Sequence, residues 1–275
     1  MADLLFGTAG IPLSTWPQTT INGIHRVSKL GLDCMELEFV QGIYLKEGEA
    51  ILVAKAAQQV KIKLSVHAPY FLNFNAHQPQ KLRASQGILL KTARIASICG
   101  ADNVIFHAGF YLGDSPQQTY QVIKKSLLEV VAKVNEGNIK LWFRPEVSGK
   151  GSQFGNLDEL MRLSTEIEGV APCIDFAHLH ARSGVFNSYP EFIAILEQMN
   201  DRLGGDALKN MHIHISGIEY GSKGERKHLE LRKSDLQYKE LLRALVDYNV
   251  KGSIICESPN REDDALLLKT NYNTL

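Results

Sequence analysis

The chain has 275 residues, about 44% of them hydrophobic and 22% charged, with 30 basic and 30 acidic side chains. That length and balance allow one large α/β domain with a full core, and they exclude a global basic field as an argument for nucleic-acid binding. No apolar run approaches ~18 residues and Met1 to Thr8 carries no leader pattern, so a cytoplasmic protein without a membrane span is expected.

Leu4 to Thr8 reads as a first strand. A loop with Pro12 and Pro17 leads to a helix over Ile21 to Leu30, which stops at Gly31. Asp33 to Glu38 is a second strand, followed by a helix over Glu47 to Val60. The third strand, Lys63 to Val66, ends at His67, and its helix runs from Pro79 to Cys99. The fourth, Asn103 to Phe106, ends at His107, with a helix from Ser115 to Asn135. The fifth, Lys140 to Phe143, runs on to Glu146 and a glycine-punctuated loop before a helix over Leu157 to Ile167.

Val170 to Ile174 ends at Asp175, with His178 and His180 just beyond and a helix from Tyr189 to Arg202. Lys209 to Ile215 carries His212 and His214. A charged stretch, Ser216 to Ser234, reads as a long loop over the strand ends, a lid or phosphate contact, and a helix from Asp235 to Tyr248 follows. Ser253 to Cys256 ends at Glu257, and a last helix covers roughly Arg261 to Thr270. Eight strand-then-helix units argue for parallel βαβ pairing and a (β/α)₈ TIM barrel spanning residues 1–275. A doubly wound sheet fits less well, because Gly7 to Pro12 lacks the GxGxxG phosphate loop.

All strands of such a barrel end on one face. Six successive runs here end in His67, His107, Glu146, Asp175, His212 or His214, and Glu257. Carboxylates and imidazoles crowded at one mouth repel or desolvate each other unless divalent cations neutralise them. The donors are nitrogen and oxygen, which suits zinc, with manganese or iron also compatible. Their number exceeds one metal, so two or three ions bridged by Glu146 are expected. That arrangement suits phosphoryl chemistry. Of Glu36 and Glu38, one is expected to reach the site and the other to face out. His180 and His25 read as loop or surface residues. Cys34, Cys99, Cys173 and Cys256 lack CxxC spacing and read as buried, reduced thiols.

These residues resemble the endonuclease IV family, the class II apurinic/apyrimidinic DNA-repair endonucleases of the xylose-isomerase-like barrel group. The resemblance covers nearly the whole chain. It rests on HAPYFLN at His67 to Asn73, PEVSGKGSQFG at Pro145 to Gly155, IDFAHLHA at Ile174 to Ala181 and ESPN at Glu257 to Asn260. It implies three zinc ions. His67, His107 and Glu146 correspond to the first set, and Glu146, Asp175, His212 and Glu257 to the second. His178 and Glu225 correspond to the third, with His228 completing it if its loop shifts. The ungapped Met211-His212 match favours His212 over His214. The departure lies at Glu225-Arg226-Lys227-His228, where Lys227 falls in a histidine's place unless the loop shifts to bring in His228.

Tyr70 and Phe71 stand where that family enters the DNA minor groove at the lesion. The implied activity is hydrolysis of the phosphodiester 5′ to an abasic site in double-stranded DNA, with Glu146 at the catalytic centre. No strongly apolar surface helix stands out, so a monomer is expected. The alternative is a divalent-metal sugar isomerase or epimerase of the same barrel group, using Glu146, Asp175, His212 and Glu257 around one ion. A non-catalytic, metal-stabilised DNA-binding protein is a third reading, carried by the altered loop alone.

Overall fold

The computed structural model describes residues 4–275; residues 1–3, the start of the segment read for a leader, lie outside it. Strands β1 (Leu4–Ala9), β2 (Cys34–Glu38), β3 (Lys63–His67), β4 (Asn103–Phe106) and β5 (Trp142–Pro145) are each followed by a helix. These helices are α1 (Thr20–Lys29), α2 (Glu47–Val60), α3 (Pro79–Ile98), α4 (Pro116–Glu136) and α5 (Leu157–Glu166). The second half holds β6 (Cys173–Asp175), α6 (Phe176–Ser183), α7 (Tyr189–Leu203), α8 (Gly205–Leu208) and β7 (Met211–Ile215). It closes with a hairpin, β8 (Gly217–Gly221) and β9 (Gly224–Leu229), then α9 (Tyr238–Asp247), β10 (Gly252–Cys256) and α10 (Glu262–Tyr272).

Eight strands form one parallel sheet in the order β5-β4-β3-β2-β1-β10-β7-β6. Bridges between Phe143 and Val170 and between Glu146 and Cys173 bring β5 back to β6. A bond from Val147 N to Cys173 O of 3.1 Å reinforces the closure. The sheet is thus a nearly closed TIM barrel, as the strand–helix rhythm predicts. Side chains two apart on a strand share a face. Apolar residues such as Leu64, Val66, Val104, Phe106, Ile213 and Ile254 alternate outward into the helix layer and are buried. The intervening positions face the lumen, where the register sets Glu36 opposite Ser65, Glu38 opposite His67, and Asp175 opposite His214.

The helix signals work because the caps are physical. Ser115 and Gln118 close a reciprocal capping box before α4, and Asn156 with Glu159 does so before α5. Three segments depart from the sequence reading. β5 begins at Trp142, where pairing with Asn103 starts, rather than at Lys140. β6 begins only at Cys173, because Pro172 has no N–H to give a ladder. The stretch Ser216 to Ser234 is not a long loop: it is the β8–β9 hairpin and a 3₁₀ turn, Leu231–Lys233.

Candidate metal centre

Glu146 follows β5 at the C-terminal mouth and is 1% exposed. Its two oxygens face different neighbours. Oε2 lies 3.0 Å from His67 Nε2 and 3.3 Å from His107 Nε2. Oε1 lies 3.2 Å from His178 Nδ1 and 3.3 Å from His214 Nδ1. That is the geometry of a carboxylate shared between two groups of donors. His214 Nδ1 is also 3.3 Å from Glu257 Oε1, and His178 Nδ1 is 3.1 Å from Asp175 Oδ2.

The far nitrogens explain where the lone pairs point. A backbone carbonyl can only accept, so an imidazole nitrogen bonded to one carries the proton. His67 Nδ1 is 2.7 Å from Ala68 O, His178 Nδ1 is 3.0 Å from Val147 O, and His228 Nδ1 is 3.3 Å from Glu257 O. In the neutral form that metal binding requires, each ring then turns an Nε2 lone pair inward. His178 Nε2 and His228 Nε2 face each other at 3.3 Å, with Glu225 Oε2 3.6 Å from the former. Two lone pairs at that separation repel unless positive charge lies between them.

The β8–β9 hairpin delivers His228 by a β-bulge. Glu219 pairs with Lys227, but Tyr220 pairs with Glu225, so Arg226 is an extra residue. Side-chain parity flips there. Glu225 and His228 share the inner face, while Lys227 points outward, 64% exposed and 3.1 Å from Glu219 Oε2. Close packing fixes the hairpin to the loop after Glu146: Glu225 N donates to Gly149 O at 3.0 Å. A Cβ on Gly149 would stand 2.7 Å from Glu225 Cβ and 2.9 Å from His178 Cδ2, so only glycine fits. Arg182 Nη1 ties the same loop together through Ser148 O, Lys150 O and Gln153 O.

The electrostatics ask for positive charge. Burial opposes ionisation of Glu146, but the surrounding imidazoles, His107 and His214 foremost, hold its carboxyl well below the usual range. Burial pushes Glu257 well up, aided by Glu146 and Asp175. Burial also pushes Glu38 up to about 7 and pulls His107 down to about 4. His67 rises to about 10: burial opposes its charging, and the bond to Glu146 prevails. The cluster draws in cationic charge, as protons or as divalent metal.

The residues present fit a metal. An ion with tetrahedral bonds of roughly 2.0–2.1 Å sets its ligand atoms about 3.3 Å apart, near the contacts seen here. Asp175 Oδ2 and Glu257 Oε2 are buried and accept no hydrogen bond. Donor atoms converge in three groups at the mouth: His67, His107 and Glu146; Glu146, Asp175, His214 and Glu257; and Asp175, His178 and His228.

A family model described as xylose isomerase-like TIM barrel matches residues 24–273. The chain belongs to this family. An uncharacterized protein of Methanocaldococcus jannaschii is 44% identical over 273 residues, 99% of this chain and 98% of that one. A Mycoplasma pneumoniae protein named "Probable endonuclease 4" is 28% identical over 205 residues, 73% of this chain and 69% of its own. The fold is shared with a D-tagatose 3-epimerase-like protein (TM-score 0.76, 15% identity, 97% of both chains). It is equally shared with endonuclease IV from Thermus thermophilus (TM-score 0.75, 17% identity, 97% and 98%).

Within this xylose isomerase-like barrel, three sequence expectations are corrected. His214, not His212, stands among Glu146, Asp175 and Glu257. His212 lies one layer deeper, with Nε2 2.9 Å from Glu36 Oε2. Glu36 and Glu38 do not face opposite ways: being two apart, both face inward, Glu36 deep in the lumen and Glu38 lining the mouth. His180 is not a surface residue. It is 3% exposed on α6, beneath the hairpin, with its ring 4.8 Å from that of Tyr220 and Nε2 3.2 Å from Asp235.

Above the donors is a cavity of about 580 Å³ lined by His67, His107, Glu146, His178, Glu225 and His228, with Tyr70 at its edge. Tyr70 and Phe71 are 55% and 49% exposed and meet edge to face at 6.0 Å. Among the described residues no helix is long and apolar enough to cross a membrane.

Proposed function

We propose that this protein is a metal-dependent phosphodiesterase of the endonuclease IV type, hydrolysing DNA 5′ to an abasic site with two to three ions, zinc by preference of the ligand set. One observation carries the reading. His67, His178 and His228 commit their Nδ1 atoms to backbone carbonyls and turn Nε2 onto Glu146 or onto each other, a supply of donors beyond the needs of a single ion. His67, His107 and Glu146 would hold the first ion; Glu146, Asp175, His214 and Glu257 the second; His178, His228 and Glu225 the third. Bound metal supplies water activation and charge neutralisation at a phosphodiester. The chain's own part is to offer Glu146 with histidine donors gathered at each of its two oxygens. Tyr70 and Phe71, half-exposed beside the cavity, suit insertion into an unstacked lesion. The relative named "Probable endonuclease 4" supports the same direction.

The epimerase reading has its own support. Glu146, Asp175, His214 and Glu257 form a complete set around one ion, and an epimerase-like protein shares the fold. Elemental analysis of protein purified without added metal separates the two. Two or three equivalents of zinc, with cleavage of a duplex carrying one abasic site, are expected. A single equivalent, manganese above all, with no cleavage, moves the assignment to sugar chemistry.

A further inference from the structure

The lumen of a TIM barrel is ordinarily filled by layers of branched aliphatic side chains. Here a carboxylate, Glu36, occupies it at 0% exposure. A buried charge persists only when other groups meet it. Ser65 Oγ donates to Glu36 Oε2 at 2.6 Å, and His212 Nε2 meets the same oxygen at 2.9 Å. His214 Nε2 lies 2.9 Å from the other oxygen, Oε1.

His214 is oriented the opposite way from His67, His178 and His228. Those three give Nδ1 to a backbone carbonyl, His178 with Glu146 and Asp175 also beside that nitrogen, and present Nε2. His214 presents Nδ1, 3.3 Å from both Glu146 and Glu257, and turns Nε2 to an anion. We propose that Glu36 is a positioning residue for the second metal-binding group: it keeps the His214 proton on Nε2 and so leaves the Nδ1 lone pair free toward Glu146 and Glu257. This rests on the metal-centre reading above.

A carboxylate beside Nε2 favours the tautomer that carries its proton there and makes the ring a better donor to metal through Nδ1. The contact is bent rather than in line, so the hold is electrostatic. His212 and Ser65 then act as braces. They fix Oε2 and leave Oε1 for His214, which accounts for two histidines in the Met211-His212-Ile213-His214 strand although only one reaches the mouth. A rival arrangement is an ion within the lumen itself, since donor atoms of Cys173, His212 and His214 also converge.

The test is metal titration of the whole chain against a competing chelator, with zinc and then with cobalt(II), whose visible absorption reports its ligands. In Glu36→Gln one equivalent is expected to bind about 10–100-fold more weakly, with its absorption altered and the other equivalents unchanged. Glu36→Asp should recover part of that affinity. Ser65→Ala should show a several-fold loss, and it carries the test should Glu36→Gln not fold. Affinity and spectrum unchanged in the folded variants would overturn the proposal. So would loss of a whole equivalent in Cys173→Ser, which selects the lumen ion. Wild-type protein that binds no metal defeats the metal-centre reading itself; wild-type protein that binds two or three, matched by Glu36→Gln, defeats only the role of Glu36.

Discussion

Arg144 and Glu146 lie two residues apart, at and just beyond the end of β5, facing the same lumen, 2% and 1% exposed. Their surroundings are opposite in kind. Arg144, toward the floor of the barrel, meets neutral acceptors: Asn103 Oδ1 at 2.7 Å, Asn210 O at 2.8 Å and Pro172 O at 3.4 Å, with the Trp142 ring 5.4 Å away. Burial lowers its basicity only to about 10, so it stays charged. Glu146, at the mouth, is ringed by four imidazoles, of which His178 and His214 also meet other carboxylates. The floor uses its polar groups to satisfy one cation and lock strands together. The mouth gathers more donors than the protein alone can satisfy, and that excess marks chemistry. Stability at the floor and function at the mouth is the division this architecture favours.

The largest effect that would test this division is at Glu146. Glu146→Gln cannot bridge two donor groups as an anion, so abasic-site cleavage should fall by more than the ~100-fold typical of an outer-sphere loss. Elemental analysis should show at least one equivalent missing, and full turnover with full metal would break the comparison. Next comes Arg144→Ala, expected to destabilise by about 3 kcal/mol through an emptied site and orphaned acceptors. Urea unfolding measures it, and metal per folded chain should not change.

His228→Gln should then weaken one equivalent about tenfold or more, read by chelator competition. Smaller still, Tyr70→Ala and Phe71→Ala should each raise KM for abasic duplex several-fold to about tenfold, as loss of a base contact does. Their unfolding free energy should stay within ~0.5 kcal/mol of wild type. Lys227→Ala should do almost nothing to metal content, because its ammonium points away from the donors to a solvent-screened surface pair with Glu219.

Much of the mouth was legible in the sequence because a parallel barrel makes every strand end equivalent. An apolar run followed by His67, His107, Glu146, Asp175 or Glu257 needs no tertiary information to be placed on one face. What stayed hidden was depth. His212 and His214 have the same parity, so alternation puts both inside; it does not say which level meets the carboxylates of the other strands, and only His214 reaches Glu146 and Glu257 while both meet Glu36. Parity properly applied would have set Glu36 and Glu38 on one face. The burial of His180 was invisible because it depends on the hairpin that covers α6, and the charge of Ser216 to Ser234 disguised two strands as a loop. Arg144 gave no signal, since a lone arginine in an apolar strand reads as a register error until its neutral acceptors are seen.

The bulge at Arg226 behaves as a frameshift written in space rather than in codons. The same residues of β9 paired without the bulge would exchange the occupants of the inner face without changing the composition of the hairpin. A cation, Lys227, would replace an imidazole, and a site that attracts metal would repel it. Comparison of such chains by aligned columns therefore scores the wrong residue whenever one has the bulge and the other lacks it. The register of this one hairpin therefore decides whether an imidazole or an ammonium faces His178.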